Sequence, residues 1–338
     1  MEPSGLNFIV ESNIPFARGL LESHGSVRYL APEEITPEAM KECDALITRT
    51  RTRCDSSLLE PSRCSMIASA TIGLDHIDLD YCKQRGITVA NAPGCNAPAV
   101  AQYVLASIIA AYGKESLAGM TLGIVGVGHV GTIVENWARQ LGMNVMACDP
   151  PRARREGDQL FCSLDEIARK ADIITFHTPY TREGDDATHH MADKRFFDML
   201  EKSPMIINSA RGPITDTEAL IRAIDAGKVS RAVIDCWENE PAISKELLDK
   251  TFIATPHIAG YSREGKIRAT RMAMDAVARH FGFASPEMAE NVAPGARETV
   301  TADLIAASYN PLSDTAALRC DPTAFESLRN HYQLRAEV

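Results

Sequence analysis

Arg211, Glu240 and His257 stand within the stretches NSARG, DCWENEP and TPHIAGY, each just past a short apolar run. Their types form a working set for chemistry at a hydroxyl-bearing carbon. An imidazole titrates near neutrality, so it can take a hydroxyl proton and give it back. A carboxylate bonded to that imidazole fixes its tautomer and favours its charged form. A guanidinium can hold a substrate carboxylate and polarise a developing carbonyl oxygen. Each residue alone is ordinary, because most Arg, Glu and His side chains are structural. Their joint occurrence after successive strands points to proton removal coupled to hydride departure.

A hydride needs an acceptor, and residues 119–150 predict where one binds. The apolar run 122–125 reads as a buried strand that stops at Gly126-Val127-Gly128. His129-Val130-Gly131 leads into a helical pattern ending near 141–142, and a second strand, 144–148, ends at Asp149. This is the order strand, G-x-G-x-x-G, helix, strand, acid. Gly126 allows the tight turn, Gly128 lets the backbone approach a pyrophosphate, and Gly131 lets helix and sheet pack closely. The helix N-terminus meets the pyrophosphate charge with its amides. Asp149 stands 18 positions past Gly131, where a carboxylate can accept from ribose hydroxyls. Its charge repels a 2′-phosphate, so NAD is favoured over NADP. Arg152, Arg154 and Arg155 follow closely and weaken that preference.

The elements that must position these groups alternate between strand and helix. Strands are expected at 7–10, 27–30, 45–48, 66–70 and 88–90, with helices between them at, for example, 14–23 and 79–85. Such alternation predicts a small parallel sheet covered on both faces, with ligands beyond the carboxyl ends of its strands. One such end carries Arg49-Thr50-Arg51-Thr52-Arg53. Arginines two apart alternate sides in an extended segment, so all three cannot meet one ligand. Arg49 or Thr50 is the candidate contact for an anionic substrate. His76, between Asp75 and Asp78, reads as structural. An apolar helix at 97–112 leads into the dinucleotide-binding half, and a helix at 263–281 crosses back. These two crossovers are the expected hinge elements of a domain closure. Further strands are expected at 173–176, 205–208, 232–234 and 252–254, with helices at 164–170 and 217–226. Residues 181–188 read as a polar loop. His189 and His190 lack neighbouring acids or cysteines in sequence, so no metal is assigned.

With 338 residues the chain is long enough for two domains and an appendage. A net charge of −10 argues against a general nucleic-acid binder but leaves room for a local basic pocket. Nine cysteines without a C-x-x-C pair fit reduced thiols in a cytoplasmic protein, and Cys95 and Cys236 read as packing residues. No apolar run is long enough for a membrane span, and no secretory signal is visible.

The motifs GVGHVG, NSARG, DCWENEP and TPHIAGY resemble the D-2-hydroxyacid dehydrogenase family, with its spacing over most of residues 45–265. Within the family, NIPFAR, ATIGLDHID, NAPGCNA, CDPPRA, FHTPYT and HIAGYSREGK resemble members that act on a phosphorylated hydroxy acid. The resemblance implies an α/β fold of two doubly wound parallel-sheet domains, a Rossmann-type NAD domain inserted in a flavodoxin-like substrate domain, with a short C-terminal α/β appendage. The substrate or lid domain would span 1–96 and 262–284, and the NAD domain 97–261. Residues 285–338 would be a shortened dimerisation region, entered through a linker at 284–301.

The resemblance makes Arg211, Glu240 and His257 the catalytic set and Asp235 a neighbour of the nicotinamide carboxamide. His129, Val130, Asp149, Thr178, Ser209, Ala210 and Gly260 fall on its cofactor-contacting positions. Thr50, Thr71 and Tyr261 would touch a phosphorylated hydroxy acid, with Arg49 beside them. Arg329 and Arg335 are further candidates, against the alternative of solvated helix faces. The implied protein is a homodimer using NAD, with no metal, nucleic-acid or membrane partner. Two alternatives stay open: a family member for glyoxylate, hydroxypyruvate or phosphoglycerate, and an NAD-sensing protein without turnover.

Overall fold

Short runs rich in Val, Ile and Ala build the first sheet. Leu6–Glu11 (β1), Gly25–Leu30 (β2), Ala45–Thr48 (β3), Met66–Ser69 (β4) and Thr88–Ala90 (β5) pair in parallel, in the order β2-β1-β3-β4-β5. The computed structural model describes residues 5–290, 292–293 and 295–338. Alternation sorts the strand side chains onto opposite faces. Phe8, Val10, Ile47 and Ala68 join one cluster with Met274 and Val277 of the helix Arg263–Phe281. Ile9, Leu46 and Ile67 join the other with Leu58, Leu59 and Cys82. This sheet and that helix form one compact unit within residues 1–96 and 263–294.

The helix expected at 14–23 does not form; that stretch is a series of turns. Phe16 and Gly19 have φ of 62° and 85°, left-handed values that end any right-handed helix, and Pro15 removes an amide. The apolar side chains still pack: Ile14, Ala17, Leu20 and Leu21 are buried against β1. Their spacing marked a buried face, while the backbone form depended on Pro15 and Gly19.

A second unit, within residues 97–262 and 295–338, is built on Thr121–Val125 (β6), Asn144–Cys148 (β7), Ile173–Phe176 (β8), Met205–Asn208 (β9), Arg231–Ile234 (β10) and Ile253–Ala254 (β11). The sheet is parallel, in the order β11-β10-β9-β8-β6-β7. The order reverses beside β6, which places a ligand crevice at its carboxyl end. Ile206, Ala232 and Ile234 face Phe196 and Leu220, while Met205, Ile207 and Val233 face Trp137 and Val104. Caps fix the helix starts: the carboxylates of Asp149 and Asp216 accept from Arg152 and Ala219 amides. The tail helices Ala302–Ser308, Pro311–Cys320 and Phe325–Asn330 lie in this unit, burying Ile305, Leu318 and Phe325 in its core.

Candidate active site

The chain leaves β10 at Asp235 and β11 at Thr255, and the two exits form one hydrogen-bonded structure. His257 Nδ1–H donates to Glu240 Oε2 at 2.8 Å. Glu240 Oε1 accepts from the Trp237 amide at 2.8 Å, which holds the carboxylate in place. Burial works to raise the Glu240 pKa, but the His257 bond and charge, the Trp237 amide and the Arg329 charge together bring it below the ordinary carboxylate value. Glu240 is thus ionised at neutral pH and fixes the tautomer of His257, leaving Nε2 as the basic nitrogen.

Asp235 is the anchor beneath them. Its buried carboxylate accepts from Thr255 Oγ1 and Ile258 N at 2.7 Å each and from Ala259 N at 3.0 Å. The His257 amide donates to the Asp235 carbonyl at 2.9 Å. These bonds hold His257 at φ 56°, a left-handed conformation that costs about 1–3 kcal/mol for a residue with a Cβ.

Arg211 follows β9, and its Nη1 donates to the Ala210 carbonyl at 2.8 Å. A Cβ at Gly212 would lie 1.9 Å from Trp237 O, so glycine is required where the two loops touch. Ser209 Oγ is buried with no hydrogen-bond partner, a hydroxyl available to a ligand. Cys236, Glu240 and His257 place their heteroatoms within 4.8 Å of one another. Burial drives the Cys236 thiol well above its usual pKa, and the carboxylate and imidazole engage one another, so the set is a hydrogen-bonded pair beside a neutral thiol.

The glycine loop has the form its spacing predicts. Gly126 has φ 89°, and a Cβ there would lie 2.9 Å from Thr178. A Cβ on Gly131 would lie 2.2 Å from Gly126 O, so the helix His129–Gln140 packs directly on the turn. Around Gly128 a Cβ would meet nothing within 4 Å, and no side chain caps the helix there. Open space before uncapped amides suits a pyrophosphate. His129 is exposed at the first position, and Val130 is half-buried. Beyond β7 lies a cavity of about 830 Å³ lined by Asp149, Phe161, Thr178, Met191 and Phe196, a size and lining suited to an adenosine half. The residues present therefore fit NAD.

Asp149 also braces the loop, since Oδ2 accepts from the Val127 amide at 2.8 Å. Arg152 and Arg154, which follow it, both stand in ion pairs. Arg152 is bound to Glu156 and to Val127 O, and Arg154 to Asp186, so acids already match both guanidiniums.

In the first unit, Glu11 ends β1 as a buried carboxylate. Its Oε2 accepts from the Arg49 amide at 2.8 Å, from Thr52 Oγ1 at 3.2 Å and from Thr48 Oγ1. Residues 49–53 therefore bend around Glu11 rather than extend, which corrects the alternating-side expectation. Arg49 Nη1 reaches Asn13 O at 3.2 Å, Thr50 is exposed, and Arg53 pairs with Asp55. Thr71, just past β4, is half-buried, and its carbonyl accepts from the Ala92 amide. His76 is half-buried, with Nε2 enclosed and unpartnered, and burial lowers its pKa against the opposing charges of Glu11 and Asp75.

Several working residues lack a sequence signal. Glu11 lies far in sequence from the loop it holds. His190 has acids beside it after all: Nε2 is 2.7 Å from Glu238 Oε1, a pair assembled by the fold. Arg329 and Arg335 do not lie on solvated faces. Arg329 donates to the Tyr261 hydroxyl at 3.3 Å, and Arg335 binds carbonyls of the segment carrying Ala259, Gly260 and Tyr261. Their one advance cue was the family resemblance of the C-terminal region.

A nucleotide-binding type of parallel sheet with a hydrogen-bonded imidazole and carboxylate at its carboxyl edge is the architecture of an oxidoreductase class. Residues 99–259 match the family described as D-isomer specific 2-hydroxyacid dehydrogenase, NAD binding domain. The chain belongs to the D-isomer-specific 2-hydroxyacid dehydrogenases. It is 47% identical to a protein named erythronate-4-phosphate dehydrogenase in Bacteroides fragilis, covering 98% of this chain and 97% of that one. A protein of the same name in Cronobacter sakazakii is 36% identical, covering 98% and 92%. Among solved structures, D-lactate dehydrogenase of Aquifex aeolicus with NAD and lactic acid is 26% identical, with TM-score 0.69 over 82% of this chain and 96% of that one. The cofactor-bound 3-phosphoglycerate dehydrogenase of Entamoeba histolytica is 25% identical, with TM-score 0.70 over 85% and 99%. Among the described residues no helix is long and apolar enough to cross a membrane.

Proposed function

We propose that this protein oxidises 4-phospho-D-erythronate to 2-oxo-3-hydroxy-4-phosphobutanoate, the step that carries this acid into pyridoxal 5′-phosphate synthesis. The His257–Glu240 bond of 2.8 Å carries the chemistry. His257 Nε2 takes the proton of the 2-hydroxyl, and the charge that appears on the imidazole is balanced by ionised Glu240. Arg211 binds the substrate carboxylate through its guanidinium fork and steadies negative charge on the reacting oxygen. When bound, NAD accepts the hydride from C2.

Gly126, Gly128, His129, Val130 and Gly131 hold the pyrophosphate, Asp149 the ribose, and Thr178, Ser209, Ala210, Asp235 and Gly260 the remaining cofactor contacts. Arg49, Thr50, Thr71 and Tyr261 contact the phosphorylated substrate. The bend of residues 49–53 presents Thr50 at the surface with Arg49 beside it, which suits a doubly charged phosphate. The names carried by relatives sharing 36–47% identity over nearly the whole chain support this substrate. The same reading makes the protein a cytoplasmic homodimer, which sedimentation equilibrium tests.

A panel of phosphorylated and unphosphorylated 2-hydroxy acids, run with NAD and with NADP, tests the assignment. The expected result is highest kcat/KM for 4-phosphoerythronate with NAD. Equal rates on D-lactate, glycerate or 3-phosphoglycerate would reject the substrate, and no turnover on any would favour a sensor.

A further inference from the structure

The loop that carries His257 is held on both of its electrical sides. Its amides point at a buried carboxyl group: Ile258 and Ala259 donate to Asp235. Its carbonyls point at a cation: Arg335 Nη1 donates to Ile258 O and Tyr261 O at 3.1 Å each, and Nη2 donates to Ala259 O. The other edges of the same guanidinium reach the helix Ala97–Tyr112. Nη2 donates to Ala99 O at 3.1 Å and Nε to Gln102 Oε1 at 3.2 Å. The Tyr309 ring centre lies 4.3 Å from the guanidinium carbon. A backbone bridge between Ser262 and Arg335, and a 2.7 Å bond from Ser262 Oγ to Glu337, fix the stem. All of these groups lie in the second unit.

We propose that Arg335 is a positioning residue for proton transfer, clamping the carbonyls of residues 258–261 to a long helix so that His257 keeps its orientation on Glu240. The inference rests on His257 being the acid–base residue. Three convergent carbonyls carry partial negative charge on one side of a short loop. A planar fork with five N–H donors satisfies them together, whereas an ammonium is a compact charge with three donors. His257 holds a left-handed backbone, so its geometry persists only while its neighbours enforce it. Asp235 secures one side of the loop, and without Arg335 the other side can turn away.

Steady-state kinetics of Arg335→Met, Arg335→Lys and Arg319→Met, with NADH binding followed by fluorescence, test this. Arg319 serves as control because it lies in the same tail and donates to Thr251 O instead. Arg335→Met should lower kcat by about tenfold or more, with the NADH dissociation constant within about twofold of the parent. Methylguanidinium in the assay should restore part of that loss, Arg335→Lys should fall between, and Arg319→Met should stay near the parent rate. Parent-like kcat in Arg335→Met would overturn the clamp. So would equal losses in Arg335→Met and Arg319→Met without methylguanidinium rescue. If Arg335→Met does not fold, Arg335→Lys decides, and a kcat within about twofold of the parent overturns the proposal. His257→Gln, run in parallel, keeps the two ideas apart. Its activity would sink the acid–base reading, whereas its inactivity beside an unaffected Arg335→Met would sink the clamp alone.

Discussion

In the first unit Glu11 closes β1 and gathers the loop at residues 48–52; in the second, Asp235 closes β10 and gathers the loop at residues 255–259. Both are buried carboxylates at the carboxyl end of a parallel strand, and the two are used differently. Glu11 serves three donors with one oxygen, while Oε1 is enclosed without a partner. Its loop is pinned at Thr48, Arg49 and Thr52, and Thr50, Arg51 and Arg53 between and beside these anchors are exposed. Asp235 uses both oxygens, and the carbonyl side of its loop is gripped as well. On the proposed reading the first loop meets a phosphate, which is recognised by charge over a range of positions and leaves that loop latitude. The second would carry proton transfer, which fails when donor and acceptor drift by an ångström and demands rigidity.

Removing the imidazole tests the second loop most severely. His257→Ala should cut kcat by ~10³-fold while NADH binding stays within about twofold, measured by absorbance and fluorescence titration. Parent-level turnover would take the chemistry away from this loop. The first loop is tested by Glu11→Ala, which leaves three donors without their acceptor. Urea unfolding should show a loss of ~2–4 kcal/mol, and KM for the phosphorylated substrate should rise with kcat little changed. A fall in kcat instead would mean that both loops need the same rigidity.

A smaller effect separates the units by acidity. Burial pushes His177, at the end of β8, down to about 3, below the ~6.5 of an unfolded histidine. The unfolded chain then takes the proton first. Stability is full above ~6.5 and declines as pH falls from there toward 3. In the first unit, burial also lowers the His76 pKa, but Glu11 and Asp75 work against it. Urea midpoints measured from pH 7 to pH 4 should therefore fall less steeply in His177→Gln than in His76→Gln. The reverse order would invert the comparison.

The strands at 45–48, 144–148 and 205–208 and the helices at 79–85, 97–112 and 263–281 are legible residue by residue, because strands buried on both faces read as short apolar runs and the helices between them as longer ones. The glycine loop was legible for the same local reason: Gly126, Gly128 and Gly131 each answer a steric demand of their neighbours. The helix expected at 14–23 was misread because apolar spacing reports burial, and two left-handed residues overrule it.

The chain's order of amino acids determined on its own the chemistry available: a glycine turn, an acid after the second strand, and an imidazole, a carboxylate and a guanidinium past successive strands. Tertiary structure alone decided which groups meet. Glu11 and Thr52 are separated by 41 positions, and Arg335 and Ile258 by 77, yet each pair shares a hydrogen bond. Hydrogen bonds of that kind depend on angstrom-scale positions set by packing, and no local pattern encodes them.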